Sequence, residues 1–276
     1  MAGITTASRS AARYVFSWRR ELTEVVLIVI AFFVYFGVRG LVVERIAEAE
    51  ANAADLIRLE KVLGIYWEAD LQRLIVTNDW IQRVANGIYL YGHGPVILVI
   101  AVLLYVSRQP VYLLTRNTFL LSGAIGLVIY YMYPVAPPRL VPGSEFIDTV
   151  LTEYHVRRVL MPDFLTNEYA AVPSLHFGWN LAMGVAVWTA FANPVARTFA
   201  VVMPVLMLVA IVITANHFIL DAVAGTIVVA VGAVLAVAAR RYGEQRLQKD
   251  SPFHDGIRWL LGTERPPPKA GCDPAS

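Results

Sequence analysis

The sequence predicts an all-α protein, a six-span transmembrane helical bundle with amphipathic interfacial helices. Three observations carry this expectation. Of the 276 residues, 57% are hydrophobic and 16% charged, against roughly 45–50% and about 25% in soluble domains. Apolar runs of about twenty residues recur, each long enough to cross a hydrocarbon core of about 30 Å as a helix. Some of these runs are closed by helix-ending punctuation, Arg108-Gln109-Pro110 and Asn193-Pro194 among them.

Taken in order, the first span covers about 22–43 and follows Arg19-Arg20. Its apolar run exceeds the roughly 7–15 residues of a signal h-region, so it reads as an uncleaved anchor, although Ala51-Asn52-Ala53 follows it. In loop 44–79, Ala53, Leu56, Ile57, Leu59 and Leu63 recur at helical spacing up to Gly64. Tyr66-Trp67 then precede a second amphipathic stretch ending near Val76. Such helices lie in the headgroup plane, as a connector or as a gate admitting lipid. The second span, about 80–106, is ended by Arg108-Gln109-Pro110, and the third, about 117–134, by Tyr133-Pro134-Val135-Ala136-Pro137-Pro138. The fourth, about 174–192, is separated by Asn193-Pro194 from the fifth, about 195–215, and the sixth covers about 217–239. Residues 1–240 are thus expected to form one membrane domain. Residues 241–276, with Pro266-Pro267-Pro268, read as a polar cytoplasmic tail, mobile and without a role in chemistry.

Six spans put both termini on one side. Arg9, Arg13, Arg19 and Arg20 at the start and Arg240, Arg241, Arg246 and Lys249 at the end predict that this side is cytoplasmic. Loops 44–79 and 135–173 then face outward, and an integral plasma-membrane protein is expected. A net charge of +2, with its basic residues in short clusters, gives no reason to expect a nucleic-acid partner. The single cysteine, Cys272, excludes an intrachain disulfide, a cysteine-based zinc site and a CxxC redox pair.

Ionisable groups at span ends are costly beside hydrocarbon and therefore informative. Arg139 follows the third span, Ser174 and His176 open the fourth in Pro173-Ser174-Leu175-His176, and His217 and Asp221 open the sixth. The six-span topology brings all of them to the outer face. His217 and Asp221 are spaced i, i+4, so the carboxylate can hold one imidazole nitrogen and leave the other free to attack. The Pro-Ser helix start favours an anion such as phosphate. Arg139 can steady a phosphoryl group in transfer with two parallel hydrogen bonds, and His176 can protonate the leaving oxygen. Asn86, Tyr89 and His93 share a helical face in the second span, which suggests a headgroup pocket or a structural histidine. His155, Asp148, Glu153 and Asp163 read as solvated loop residues.

At these residues the chain resembles the type-2 phosphatidic acid phosphatase superfamily, whose three segments have the form KxxxxxxRP, PSGH and SRxxxxxHxxxD. The resemblance is clearest over about residues 80–225. Met132 stands where the pattern has lysine, Leu140 where it has proline, Leu175 where it has glycine, and Ala210-Ile211 where it has Ser-Arg. These departures, Pro-Ser-Leu-His above all, are similar to the inositolphosphotransferase branch, related to inositol phosphorylceramide synthase. The resemblance implies His217 as a nucleophile forming a phosphohistidine, Asp221 as its orienting partner, His176 as acid and base, and Arg139 with Ser174 as phosphate ligands. Arg157 and Arg158 are candidates to supply the missing basic charge.

The expected activity is cleavage of a membrane lipid phosphate ester at the outer face, without cofactor or metal. Water as acceptor makes the enzyme a phosphatase. A polyol acceptor, such as inositol or a sugar, or a lipid hydroxyl makes it a phosphotransferase. Two other classes stand beside these: a lipid or ion transporter, disfavoured by the lack of inverted repeats, and a metalloenzyme built on His176, His217 and Asp221. An adjacent Arg139 favours bound phosphate over a cation.

Overall fold

The computed structural model describes residues 18–40, 45–149, 169–246 and 252–263. Ten α-helices occur among them, without strands: α1 (Trp18–Gly40), α2 (Ile46–Leu63), α3 (Glu68–Val76), α4 (Asp79–Tyr91), α5 (Gly94–Ser107), α6 (Gln109–Met132), α7 (Leu175–Ala190), α8 (Pro194–Ile213), α9 (Ile219–Arg246) and α10 (Pro252–Leu261). The all-α expectation holds. Helices occupy all six expected apolar segments, but length and apolarity qualify α6, α8 and α9 as spans, with a fourth if α4 and α5 count as one. Three or four spans thus qualify among the described residues, and the count of six is not borne out. The fourth segment shows why: α7 has 16 residues, about 24 Å at 1.5 Å per residue, short of a core of about 30 Å.

The second segment is not continuous. Its two helices meet at 45°, across Gly92 and His93, where Gly94-Pro95 opens α5. Proline lacks the N–H that would continue the ladder, and its ring excludes the carbonyl a turn earlier. This break turns His93 toward the bundle interior.

Two amphipathic helices do form in loop 44–79, and Gly64, with φ of 70°, ends α2 in the left-handed conformation that glycine adopts without strain. The buried face of α2 matches the expected one in part, with Leu56 and Ile57 packed beside Ala53 on the core. Ala49, Ala53 and Glu60 are buried, whereas Leu59 and Leu63 are about half exposed, at 48% and 54%. Small alanines let α2 lie close against Val135, Ala136, Ala171 and Phe218, and Ala136 N–H donates to the Ala49 carbonyl at 3.0 Å.

Helix α9 is the central element, packed along α6 and α7. Close approach is possible because glycine has no side chain. A Cβ on Gly225 would sit 2.2 Å from the Ser174 carbonyl oxygen, and one on Gly178 would sit 2.8 Å from the Gly225 oxygen. Close small-residue packing of this kind is how helices associate where lipid removes the hydrophobic drive between them. Here it pins the start of α7 against the first turns of α9. Large apolar side chains on the periphery, among them Phe33, Leu98, Val99 and Val205, remain exposed, as a lipid-facing surface requires.

The C-terminal region is not simply a mobile polar tail. Helix α10 contacts α6 and α9, and its Trp259 is buried. Trp259 Nε1 donates to Glu24 of α1 at 2.5 Å, and Arg116 of α6 donates to the Trp259 and Leu260 carbonyls. The tail's proline-rich composition conceals this short apolar helix.

Candidate active site

Backbone hydrogen bonds bring the three motif segments together. After α6, Val135 N–H donates to Tyr169 and Ala171 N–H to Val135, each at 3.1 Å. On the other side Arg139 N–H donates to the Ala215 carbonyl at 3.0 Å, and Ser174 N–H donates to the Asp221 carbonyl at 2.9 Å. Tyr130 O–H reaches the Pro173 carbonyl at 2.7 Å. Arg139, His176 and His217 are thereby fixed around one cavity of about 80 Å³. That is far below the roughly 300–1,000 Å³ of a pocket enclosing a whole ligand, so it can take a phosphate while the rest of a substrate stays outside.

His217 is buried, with Nδ1 3.0 Å from the Ala171 carbonyl oxygen and 3.2 Å from Asp221 Oδ2. A carbonyl oxygen only accepts, so Nδ1 carries a proton, and in the neutral ring Nε2 keeps the lone pair. The expected i, i+4 pairing is present. Asp221 is fully buried, and its Oδ2 also accepts the Phe218 N–H at 2.9 Å, closing the first turn of α9. One carboxylate thus caps the helix and orients the imidazole.

His176 stands beside His217, ring centroids 5.6 Å apart. Its ring stacks on Tyr89 at 4.8 Å and meets His93, tilted by 38°, at 4.3 Å. The stack continues from His93 to Trp179 at 5.8 Å and from Trp179 to Phe119 at 5.0 Å. Asn180 joins the two histidines, its Nδ2 donating to the His176 carbonyl at 2.8 Å and lying 3.3 Å from His93 Nδ1. With Asn180 donating, His93 accepts at Nδ1.

Of the suggested headgroup set, Tyr89 and His93 do line the cavity, but Asn86 does not. It is fully buried, donating to the Thr149 carbonyl at 3.0 Å and accepting the Thr149 hydroxyl at 3.1 Å. It lies one turn before Tyr89 on α4, where Thr149 occupies its amide. Ser174 is likewise wholly buried and outside the cavity lining, its Oγ accepting Phe177 N–H at 3.4 Å as the N-cap of α7. In this arrangement the hydroxyl is occupied as a helix cap.

Arg139 is buried and held on two sides, Nε donating to Asn216 Oδ1 at 2.9 Å and Nη1 to Asp148 Oδ2 at 3.0 Å. Asp148 is therefore not a solvated loop residue. Gln72 clips the neighbouring Ile147 backbone with a reciprocal pair of hydrogen bonds at 2.8 and 3.0 Å, and Asn86 holds Thr149. Gln72 of α3 and Asn86 of α4 thus hold the residues on either side of Asp148, whose carboxylate meets Arg139. His155, Glu153, Asp163, Arg157 and Arg158 lie outside the described residues.

Sequence reasoning missed Asn180, Asn216 and Trp179. Asn180 follows His176 by one helical turn and Asn216 immediately precedes His217, so both were open to a search for amides flanking the histidines. Among the described residues no group of three or more His, Cys, Asp or Glu is placed to hold a metal ion.

Residues 54–235, about two thirds of the chain, match the PAP2 superfamily. Comparison with curated proteins and with solved structures found no match. The chain belongs to the PAP2 superfamily, whose members are generally phosphatases or phosphotransferases.

Proposed function

We propose that this PAP2-superfamily chain is an integral-membrane lipid phosphate phosphatase that works through a phosphohistidine, at the outer face of the plasma membrane. The carrying observation is the tautomer of His217, whose Nδ1 proton is committed to Ala171 and Asp221. Its Nε2 attacks phosphorus within a near-attack distance of about 3–3.5 Å. The N–P bond forms as the P–O bond to the lipid alcohol breaks, and His176 gives its proton to the departing oxygen. In the second step His176 takes a proton from water, the new O–P bond forms, and the N–P bond breaks to release inorganic phosphate. Arg139, the arginine lining the cavity, stabilises the equatorial oxygens.

Transfer to an alcohol acceptor is the second reading. Leu175 lines the cavity where the phosphatase pattern has glycine, and an apolar side chain there favours an organic hydroxyl over water.

Purified protein incubated with ³²P-labelled phosphatidate and quenched in alkali, where phosphohistidine survives and acyl phosphates do not, tests the proposal. Label is expected on the wild type and on Asp221→Asn at a much slower rate, and none on His217→Ala. Activity should persist in excess chelator and fall with vanadate, a mimic of the five-coordinate phosphoryl centre. Labelling of His217→Ala at the wild-type rate overturns the mechanism. Adding inositol to the incubation separates the two readings, since transfer diverts product from inorganic phosphate to inositol phosphate.

A further inference from the structure

Two buried glutamates outside the cavity stand at the start of α9, the helix that follows His217 and carries Asp221. Glu60, in the last turn of α2, and Glu68, the first residue of α3, are both 0% exposed. Glu68 Oε1 accepts Ile219 N–H and Glu60 Oε1 accepts Leu220 N–H, each at 2.8 Å. These are the first two amides of α9, donors that the helix itself cannot satisfy. The remaining oxygens, Glu60 Oε2 and Glu68 Oε2, are buried and have no hydrogen-bond partner among the described residues, and the two carboxyl groups are neighbours, since they accept from successive amides of one helix turn.

Two carboxylates in contact, both ionised and buried, repel each other, and the positive end of a helix supplies only about half an elementary charge. A single proton between the Oε2 atoms makes one a donor and the other an acceptor, which satisfies both at once. We infer that Glu60 and Glu68 share one proton, and that this dyad is a positioning device for the helix start from which His217 and Asp221 project. The inference rests on the reading of His217 as the nucleophile.

The electrostatics agree with it. Burial, together with the negative charges of Glu68 and Asp221, pushes the Glu60 carboxyl up to about 9 against the lowering effect of Leu220 N–H. Glu68 comes from α3 and Asp221 from α9. Tyr66, in the turn between α2 and α3, is held above its ordinary value by burial and by Glu68, Glu145 and Glu60, with Lys61 5.0 Å over its ring. Nearby Arg73 pairs with Asp70 and Glu145. The sign follows directly: below about pH 9 the shared proton is present and α9 is anchored, and above it two carboxylates repel and the anchor loosens.

Glutamine at either position keeps an oxygen for the α9 amide and supplies an N–H for its partner's Oε2, so no proton is needed. Alanine removes both contacts. Infrared titration of the full chain in detergent is expected to show a protonated-carboxyl C=O band that is lost on passing about pH 9. The band should be missing in both Glu60→Gln and Glu68→Gln, although each retains one glutamate, and present in Asp221→Asn. With dioctanoyl phosphatidate as substrate, Glu60→Ala and Glu68→Ala should lose about ten- to a hundredfold in kcat. The glutamine variants should restore most of that loss at pH 7 and lack the alkaline fall of the wild type. Survival of the band in either glutamine variant overturns proton sharing. Wild-type kcat in both alanine variants overturns the positioning role. The infrared arm does not depend on turnover, so failure of the nucleophile reading, seen as activity in His217→Ala, is distinguishable from failure of the dyad.

Discussion

The imidazole of His93 lies against that of His176 with ring centroids 4.3 Å apart and planes tilted by 38°, and the Asn180 amide reaches both His93 Nδ1 and the His176 carbonyl. The break in the second apolar segment is therefore part of the site. A ring held between Tyr89 and His93 has little freedom to leave the orientation in which it faces His217.

Stacked aromatic pairs contribute about 0.5–1.5 kcal/mol beyond burial. His93→Ala should therefore lower kcat about two- to tenfold by releasing His176, with little change in KM. His93→Phe, which keeps a planar ring, should recover part of the loss, and a steady-state comparison of the three proteins checks it. Equal losses in both variants would point to the Asn180 contact rather than the stack.

His176 is assigned to the leaving oxygen. Its removal should cost natural alcohol esters about 10²–10⁴-fold, the usual contribution of a general acid, and an activated aryl phosphate far less. Parallel kcat/KM measurements on phosphatidate and p-nitrophenyl phosphate decide it, equal losses meaning that His176 binds phosphate instead.

Glu24 of α1 is buried and accepts from Tyr112 O–H at 2.7 Å, from Arg116 Nη1 and from Trp259 Nε1, so it joins α1, α6 and α10. Removing one partner of a buried ion pair leaves an uncompensated charge and costs about 3–5 kcal/mol. Glu24→Ala should lower thermal stability in detergent accordingly and expose the α10 region to protease, while Glu24→Gln should be milder.

The proposed outer-face location makes a prediction about topology, with the arginine-rich termini on the other side. An impermeant thiol reagent should label cysteine introduced at Ser144 in intact cells and reach Cys272 only after lysis. Labelling of Cys272 alone would place the chemistry in the cytoplasm.

The sequence by itself determined the all-α membrane class, the residues of the His217–Asp221 pair, and the convergence of Arg139, His176 and His217. The first two are periodic or local: apolar runs report a solvent of lipid, and an i, i+4 spacing fixes a shared helix face wherever the helix lies, whereas the convergence followed from motifs placed at span ends. Tertiary structure alone decided what those residues touch. Beyond the bend between α4 and α5, His93 lies against His176, whereas Asn86, within α4, is committed to Thr149. Ser174 became a buried cap once Gly225 let its carbonyl approach α9, and Asp148 became a partner of Arg139 because Gln72 and Asn86 hold its neighbours. Glu60 and Glu68 read as two charges on amphipathic helices. Their burial on the Ile219 and Leu220 amides depends on contacts between segments far apart in the chain, which no local pattern encodes.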